Sequence, residues 1–356
     1  MLEGVGVGRE GATALSASIN FILRDGCGMA STLMFTAVSS NKFRSDVKKW
    51  RLFADLMNDV GITLEVAATL VPRHLFLPMI CVGNMCKAIC GVAAGACNGA
   101  INVHWSKGSD ISDINAKFGA QHTVTGSLGL VAAALFAKSV STVPSKALWF
   151  MYASLTLLHI VANMKCMKLV TFDYFNTDRM TKVVESFLDR VRRGEDWHNI
   201  GVDEPTTISS QESLFFVSTS RRLPIRMGVS FDSLARKLGL HDDAIRDAAR
   251  DISKQKYSVA LGRTGECIHV AVSSDAGPVD KAKGYFHALI LRMVVDSDKT
   301  ICISNSSVLR NSVQEVVDRW WPQFERSAHK AKWDLNKTEL STHGYEVTII
   351  QNEESS

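Results

Sequence analysis

The feature that most constrains this chain is the length of its uncharged runs. From Leu75 to Val103 the only charge is Lys87, from Gln121 to Ala137 there is none, and from Ala147 to Met164 eighteen residues pass without one. A helix needs about 20 apolar residues to cross the hydrocarbon of a bilayer, and these runs approach or reach that length. Two shorter apolar segments, Gly11 to Leu23 and Cys27 to Asn41, are separated by Arg24 and Asp25 and read as half-spans or re-entrant pieces. Beyond about Thr206 the texture changes to charged residues with alternating strand and helix patterns. A polar linker around Gly194 to Ser210, holding Pro205, marks the change. The expected fold is mainly α: a helical, membrane-associated bundle over residues 1–200, then a smaller soluble α+β domain over 206–356.

Within the first long run, "CGVAAGACNGA" places Gly91, Gly95 and Gly99 four residues apart. A helix starting near Pro78 and running to about Val103 puts them on one narrow stripe, because four-residue steps wind by only about 40°. Such a stripe suits close helix packing of the glycine-zipper kind. Extended backward, the row meets Lys87 and Gly83, so the lone charge lies beside the stripe and faces protein or a polar cavity. The neighbouring row, Cys86, Cys90, Ala94, Asn98 and Asn102, adds amides that want partners in the same interior.

Composition excludes several classes. The 356 residues carry a formal charge of +4, with 20 basic and 15 acidic residues before position 200 and 20 and 21 after it. Neither half has the basic excess of a nucleic-acid binder. The eight cysteines lack the spacing of a disulfide scaffold and read as reduced and mostly packed.

The stretch "KKWRLFADLMNDVGITLE", residues 48–65, spaces Arg51, Asp55 and Asp59 one turn apart, with Trp50, Leu52, Phe53 and Leu56 as apolar contacts. It reads as an amphipathic helix at the membrane surface. Asp55 or Asp59 is expected to pair with Lys87 and make a buried polar centre. Between the later runs, Asp113, Lys117 and Gln121 follow at four-residue steps and form a polar face at the mouth of a span, or a plain surface ion pair.

Four blocks in order, "WRLFADLMNDVGITLE", "GNMCKAICGVAAGACNGAINVHW", "DINAKFGAQHTV" and "LHIVANMKCMKLV", resemble the root UV-B sensitive (RUS) family. The similarity runs from near residue 4 to about 195 and continues more weakly in "FERSAHKAKWDL". By resemblance, family positions include Trp50, Arg51, Asp55, Asn58, Asp59, Asn84, Lys87, Gly95, Asp113, Lys117, Gln121 and Thr123. The resemblance implies a setting: plant members are tied to UV-B responses of roots, seedling development, auxin transport and vitamin B6 balance, and act in plastids in pairs. Animal and protist relatives are membrane-associated. It implies no catalytic residues. Family members carry a further stretch before "GVGVG", so the resemblance also implies a truncated start or a lost membrane segment.

Other motifs carry little. Gly6 to Gly11 matches a dinucleotide-loop pattern, but only five residues precede it and no strand can form there. Cys86 and Cys90 lie one turn apart without the companions of a metal site, and His159 reads as a satisfied interior histidine. No hydrolase, metalloprotease or nucleotide-triphosphatase signature occurs, so neither an enzyme nor a cofactor nor a metal is expected. In the C-terminal half, strands are expected at Lys256 to Leu261 and Glu266 to Val272 around a turn at Gly262 to Gly265. A helix is expected at Lys281 to Val295, two helices broken at Pro322, and a last strand in "GYEVTII". Trp320, Trp321, Phe324 and Trp333 are expected in the core. Asn305 and Asn336 open glycosylation acceptor patterns.

Two functions stand. One is a small-molecule carrier or binding bundle centred on Lys87, with Asp55, Asp59, Asn84 and Asn98 as partners, and the ligand unknown. The other is a membrane-anchored scaffold whose C-terminal domain recruits a partner, a second RUS-family chain or another copy of itself.

Overall fold

The structure, a computed structural model, describes residues 14–140, 143–216, 222–232, 234, 242–262, 265–297 and 306–348. They fall into two compact units, a helical one ending at Leu169 that also takes in Leu214–Phe216, and a second formed by Val170–Ser213 and the chain from 217 on. Among the described residues there are ten α-helices and three strands. The glycine motif at residues 6–11 and Asn305 lie outside the described residues.

The helical unit consists of α1 (Ala14–Ser39), α2 (Val47–Ala67), α3 (Arg73–Ser106), α4 (Ile111–Val140) and α5 (Ser145–Leu169). α3, α4 and α5 are long and apolar enough to cross a membrane. α1 runs unbroken through Arg24 and Asp25, so the two expected half-spans are one helix. The reason is local: the two charges pair at 2.8 Å, and the Arg24 guanidinium lies 5.1 Å from the Phe21 ring. α3 starts five residues earlier than expected, with Pro78 inside it. Pro78, the sixth residue of the helix, gives up the amide bond to the His74 carbonyl, and the helix continues through it. The helix stops where Lys107 and Gly108 turn left-handed, with φ of 44° and 90°.

α1 and α2 pack on α3, α5 meets α2, and α4 meets α3, with Asn102 donating to Asn115 at 2.8 Å. Phe35, Phe43, Trp50 and Phe53 form an aromatic cluster that binds α1 to α2. The apolar stretches of α4 and α5 bury none of their residues within the chain.

The second unit holds α6 (Thr177–Arg192), α7 (Pro205–Gln211), β1 (Ile225–Met227), α8 (Asp242–Gln255), β2 (Tyr257–Leu261), β3 (Ile268–Val272), α9 (Pro278–Ser297) and α10 (Ser306–Lys330). The sheet order is β1-β3-β2. β2 and β3 form the expected antiparallel hairpin, with Tyr257 opposite Val272 and Leu261 opposite Ile268, while β1 runs parallel to β3. The unit begins at Val170 rather than after residue 200 because α6 is amphipathic. Its Met180, Val183, Val184 and Phe187 are fully buried in the same core as Phe286, Phe324 and Trp333.

Two expectations for this half need correction. α10 is one helix passing through Pro322, not two. A proline inside a helix costs about 3 kcal/mol, and burial of Val317, Trp321, Phe324 and Ala328 on both sides of it in one core outweighs that. "GYEVTII" contributes an isolated bridge, Ser273 with Val347, in place of a strand among the described residues. Trp321, Phe324 and Trp333 are in the core, and Trp320 packs at its edge. Arg179 is buried too: it reaches Glu212 at 3.2 Å and lies 4.8 Å from the Phe172 ring and 4.9 Å from the Tyr174 ring.

Candidate functional site

The acids of the helical unit sit on α2, and helical geometry deals them to different neighbours. Asp55, Asp59 and Thr63 are one turn apart and share a face, whereas Gly61 and Glu65 share another. On the second face α2 meets α3 with no room to spare. A Cβ at Gly61 would lie 2.7 Å from the Gly83 carbonyl and 2.7 Å from Lys87 Cγ. A Cβ at Gly83 would lie 2.9 Å from the Gly61 carbonyl and 3.1 Å from Glu65 Cγ. Helical side chains lean toward the N-terminus of their own helix. Glu65 and Lys87 therefore lean back across the paired glycines, and there they form an ion pair.

This corrects the expected partner of Lys87, which is Glu65 and neither Asp55 nor Asp59. The reason is the Gly61–Gly83 approach, which brings the Glu65 and Lys87 stems together. Asp55 instead pairs with Arg51 one turn back, and its second carboxylate oxygen is buried without a hydrogen-bond partner. Asp59 Oδ2 lies 3.0 Å from His159 Nδ1 on α5, and Asn163 Nδ2 lies 2.9 Å from the other ring nitrogen. One turn on, the Thr63 hydroxyl is 2.7 Å from the Tyr152 hydroxyl. A polar seam thus joins α5 to α2.

The remaining sequence candidates disperse. Asn84 donates to the Arg24 carbonyl at 3.0 Å and serves the α1 contact, where a Cβ at Gly28 would lie 2.6 Å from its amide nitrogen. Asn98 is half-buried on α3. Asp113 and Lys117 pair with each other at 2.7 Å on an exposed face, and Gln121 is exposed on the same helix, so these three stand apart from the charged centre. Gly91, Gly95 and Gly99 are exposed, and a Cβ at any of them meets nothing within 4 Å. The packing stripe expected there is not used inside the chain. The close glycine contact lies one and two turns earlier on the same row, at Gly83 beside Lys87, because α2 crosses α3 there.

Sequence reading missed Glu65 and the Asp59–His159 link. A signal for the first was present: Gly61 precedes Glu65, and Gly83 precedes Lys87, by one turn each. Among the described residues no group of three histidine, cysteine or acidic side chains is placed to hold a metal ion, and no disulfide joins the cysteines there.

A domain model described as "Vitamin B6 photo-protection and homoeostasis domain" matches residues 1–191, and "Root UVB sensitive protein, C-terminal" matches residues 201–348. The chain belongs to the root UVB sensitive family. It is 29% identical to Arabidopsis thaliana protein root UVB sensitive 3 over 328 residues, covering 90% of this chain and 71% of that protein. RUS family member 1 of Dictyostelium discoideum is 29% identical over 262 residues, 72% of this chain and 48% of that protein. Arabidopsis thaliana protein root UVB sensitive 2, chloroplastic, is 29% identical over 204 residues, 57% of this chain and 44% of that protein. No solved structure matches. In this root UVB sensitive chain, Arg51 and Asp55 pair within α2, Lys87 of α3 pairs with Glu65 of α2, and Asp59 of α2 meets His159 of α5.

Proposed function

We propose that the helical unit is a membrane-embedded bundle that binds or carries a small molecule, with the Glu65–Lys87 pair as its polar centre and Asp55 and Asp59 beside it. The observation that carries this reading is the placement of charge. The ion pairs Arg51–Asp55 and Glu65–Lys87 and the Asp59–His159 contact gather titratable side chains where α2 meets α3 and α5, two helices with long apolar stretches. Charge inside a membrane helix bundle is expensive, and it is kept where it meets a substrate, an ion or a proton. The reading is one of binding without covalent catalysis.

The description of the matching domain makes vitamin B6 compounds the first ligands to test. Full-length chain in detergent should bind pyridoxine or pyridoxal 5′-phosphate saturably by calorimetry. Glu65→Gln and Lys87→Met should each weaken that binding while the helical circular-dichroism signal stays unchanged. Equal affinity in both variants would overturn the polar centre.

A second reading, the membrane-anchored scaffold, draws on a cleft of about 350 Å³ in the C-terminal unit. It is lined by Arg192, Arg222, Arg292, Glu185, Asp189 and Asp296 together with Leu188, Leu289 and Met293, and Arg222 and Arg292 both pair with Glu185. Such a surface suits a short peptide carrying both charges. Deleting residues 206–356 would abolish function under this reading, and Lys87→Met would be tolerated.

A further inference from the structure

The contact between α5 and α2 differs from those that α1 and α2 make with α3. There glycines allow close approach, at Gly28 against the Asn84 side chain and at Gly61 against the Gly83 backbone. α5 is held to α2 by two polar links, Thr63 with Tyr152 at 2.7 Å and Asp59 with His159 at 3.0 Å. Its own apolar stretch is not buried. A helix tied on in this way docks only as firmly as those links allow.

One of the links can change charge. Histidine is the side chain whose ordinary titration falls between about pH 5 and pH 8. In the neutral ring, an Asn163 amide N–H donates to the bare Nε2, 2.9 Å away. That leaves the proton on Nδ1, which donates to the Asp59 carboxylate. An amide side chain serves the charged ring equally well, because turning it over presents its oxygen to a protonated Nε2. Asn163 therefore satisfies both protonation states of His159. The His159 side chain is 43% exposed and the Asp59 side chain 12%.

We propose that Nε2 of His159 is a proton-binding site of the helical unit, and that its occupancy sets how firmly α5 is held to α2. The proton enters at Nε2 and no other bond is made or broken. The ring then carries a full positive charge against the Asp59 carboxylate, and a hydrogen bond that already had an ionised acceptor becomes an ion pair. Of the other charged groups on α2, Arg51 and Asp55 pair with each other, Glu65 with Lys87 of α3, and Lys49 with Asp46, while Lys48 is buried. On α5 the ring meets the neutral Asn163. In the bundle proposed above, on which this inference rests, protonation then tightens the α5–α2 contact.

The test is hydrogen exchange of peptides spanning 152–163 in the full chain, without added ligand, after correction for intrinsic rates. Wild-type exchange should be roughly fivefold to tenfold slower at about pH 5.5 than at about pH 8. His159→Gln should exchange fast at both, and His159→Lys, with a fixed charge, slowly at both. A flat wild-type profile overturns the proposal on its own, as does a slope that survives in both variants. Should His159→Gln lose its helical signal, His159→Lys and the wild type decide between them. Failure of pyridoxine and pyridoxal 5′-phosphate to bind would overturn the ligand reading and leave this slope in place, so the two failures are distinct.

Discussion

The two units of this chain are built inside out relative to each other. The C-terminal unit follows the rule for proteins in water: Phe187, Phe286 and Phe324 have no exposure at all, and Trp333 stacks on Phe175 at 4.4 Å within the same core. The helical unit turns its large apolar side chains outward, with Leu130 and Phe150 each 75% exposed. It keeps Lys48, Asp55 and Asp59 buried. In water the second arrangement forfeits the hydrophobic effect that holds a domain together. In hydrocarbon it gives up nothing, because the outer side chains are solvated by lipid and the polar groups find their partners inside. The two halves thus suit different solvents, and that difference supports the proposed bilayer setting of the helical unit.

The comparison breaks most readily at the aromatic side chains. Trp333→Ala should cost about 4 kcal/mol of C-terminal stability, since the ring leaves a cavity beside Phe175 and its indole N–H no longer reaches the Asp203 carbonyl. Phe150→Ala should shift the unfolding of the helical unit in detergent by about 0.5 kcal/mol or less. Thermal or urea unfolding of the full chain followed by fluorescence reads both, and equal losses would contradict the inside-out account.

A smaller effect comes from acid. His287 is buried in the C-terminal core, and burial lowers its pKa from 6.5 to about 4. Nearby Asp318 opposes the shift, and Lys283 and Arg310 add to it. Between those values the unfolded chain binds the proton and the folded one does not, so this stability is whole above about pH 6.5 and falls as the pH drops to about 4. The loss is about 3 kcal/mol. His287→Leu should flatten that part of the stability–pH curve, measured by urea titration; an unchanged slope would place the acid sensitivity elsewhere. The buried Tyr257 phenol, pushed well above its usual range by burial, stays neutral throughout.

Next in size is the charged pair of the helical unit. Lys87→Met leaves the Glu65 carboxylate without its cation and should cost about 2 kcal/mol, less than a fully buried pair because Lys87 is partly exposed. The double variant Lys87→Met/Glu65→Leu should recover most of the loss. Additive losses in a double-mutant cycle would mean the pair is not coupled. Smallest is Tyr152→Phe, which removes one hydroxyl contact with Thr63 and should lower the melting of the helical unit by about 1 kcal/mol. An unaltered midpoint would remove that link from the α5 contact.

Much of this was legible in the order of the residues. The uncharged runs mark α3, α4 and α5, and alternation around Gly262 marks the β2–β3 hairpin, because both patterns are local. What escaped depends on which helix meets which. Gly91, Gly95 and Gly99 look like a packing stripe, but only a crossing partner makes one, and α2 crosses α3 at Gly83. Lys87 was marked as interior by its solitude, yet its partner, Glu65, is fixed by glycines on two helices. His159 reads as a satisfied interior histidine; its ring nitrogens are satisfied by Asp59 and Asn163, but the residue is exposed, and the identity of Asp59, 100 residues away in the chain, is a matter of tertiary contact. Pro322 shows the limit of local rules, since a well-filled core holds α10 together across it.

The measurement that tests the central claim most directly is alkaline carbonate extraction of membranes from cells expressing the full chain, followed by detergent solubilisation of the pellet. The account predicts that the chain stays in the carbonate pellet and is released by detergent. Recovery in the carbonate supernatant would contradict it, because a helical unit with exposed Leu130 and Phe150 and internal ion pairs would then have to stand in water.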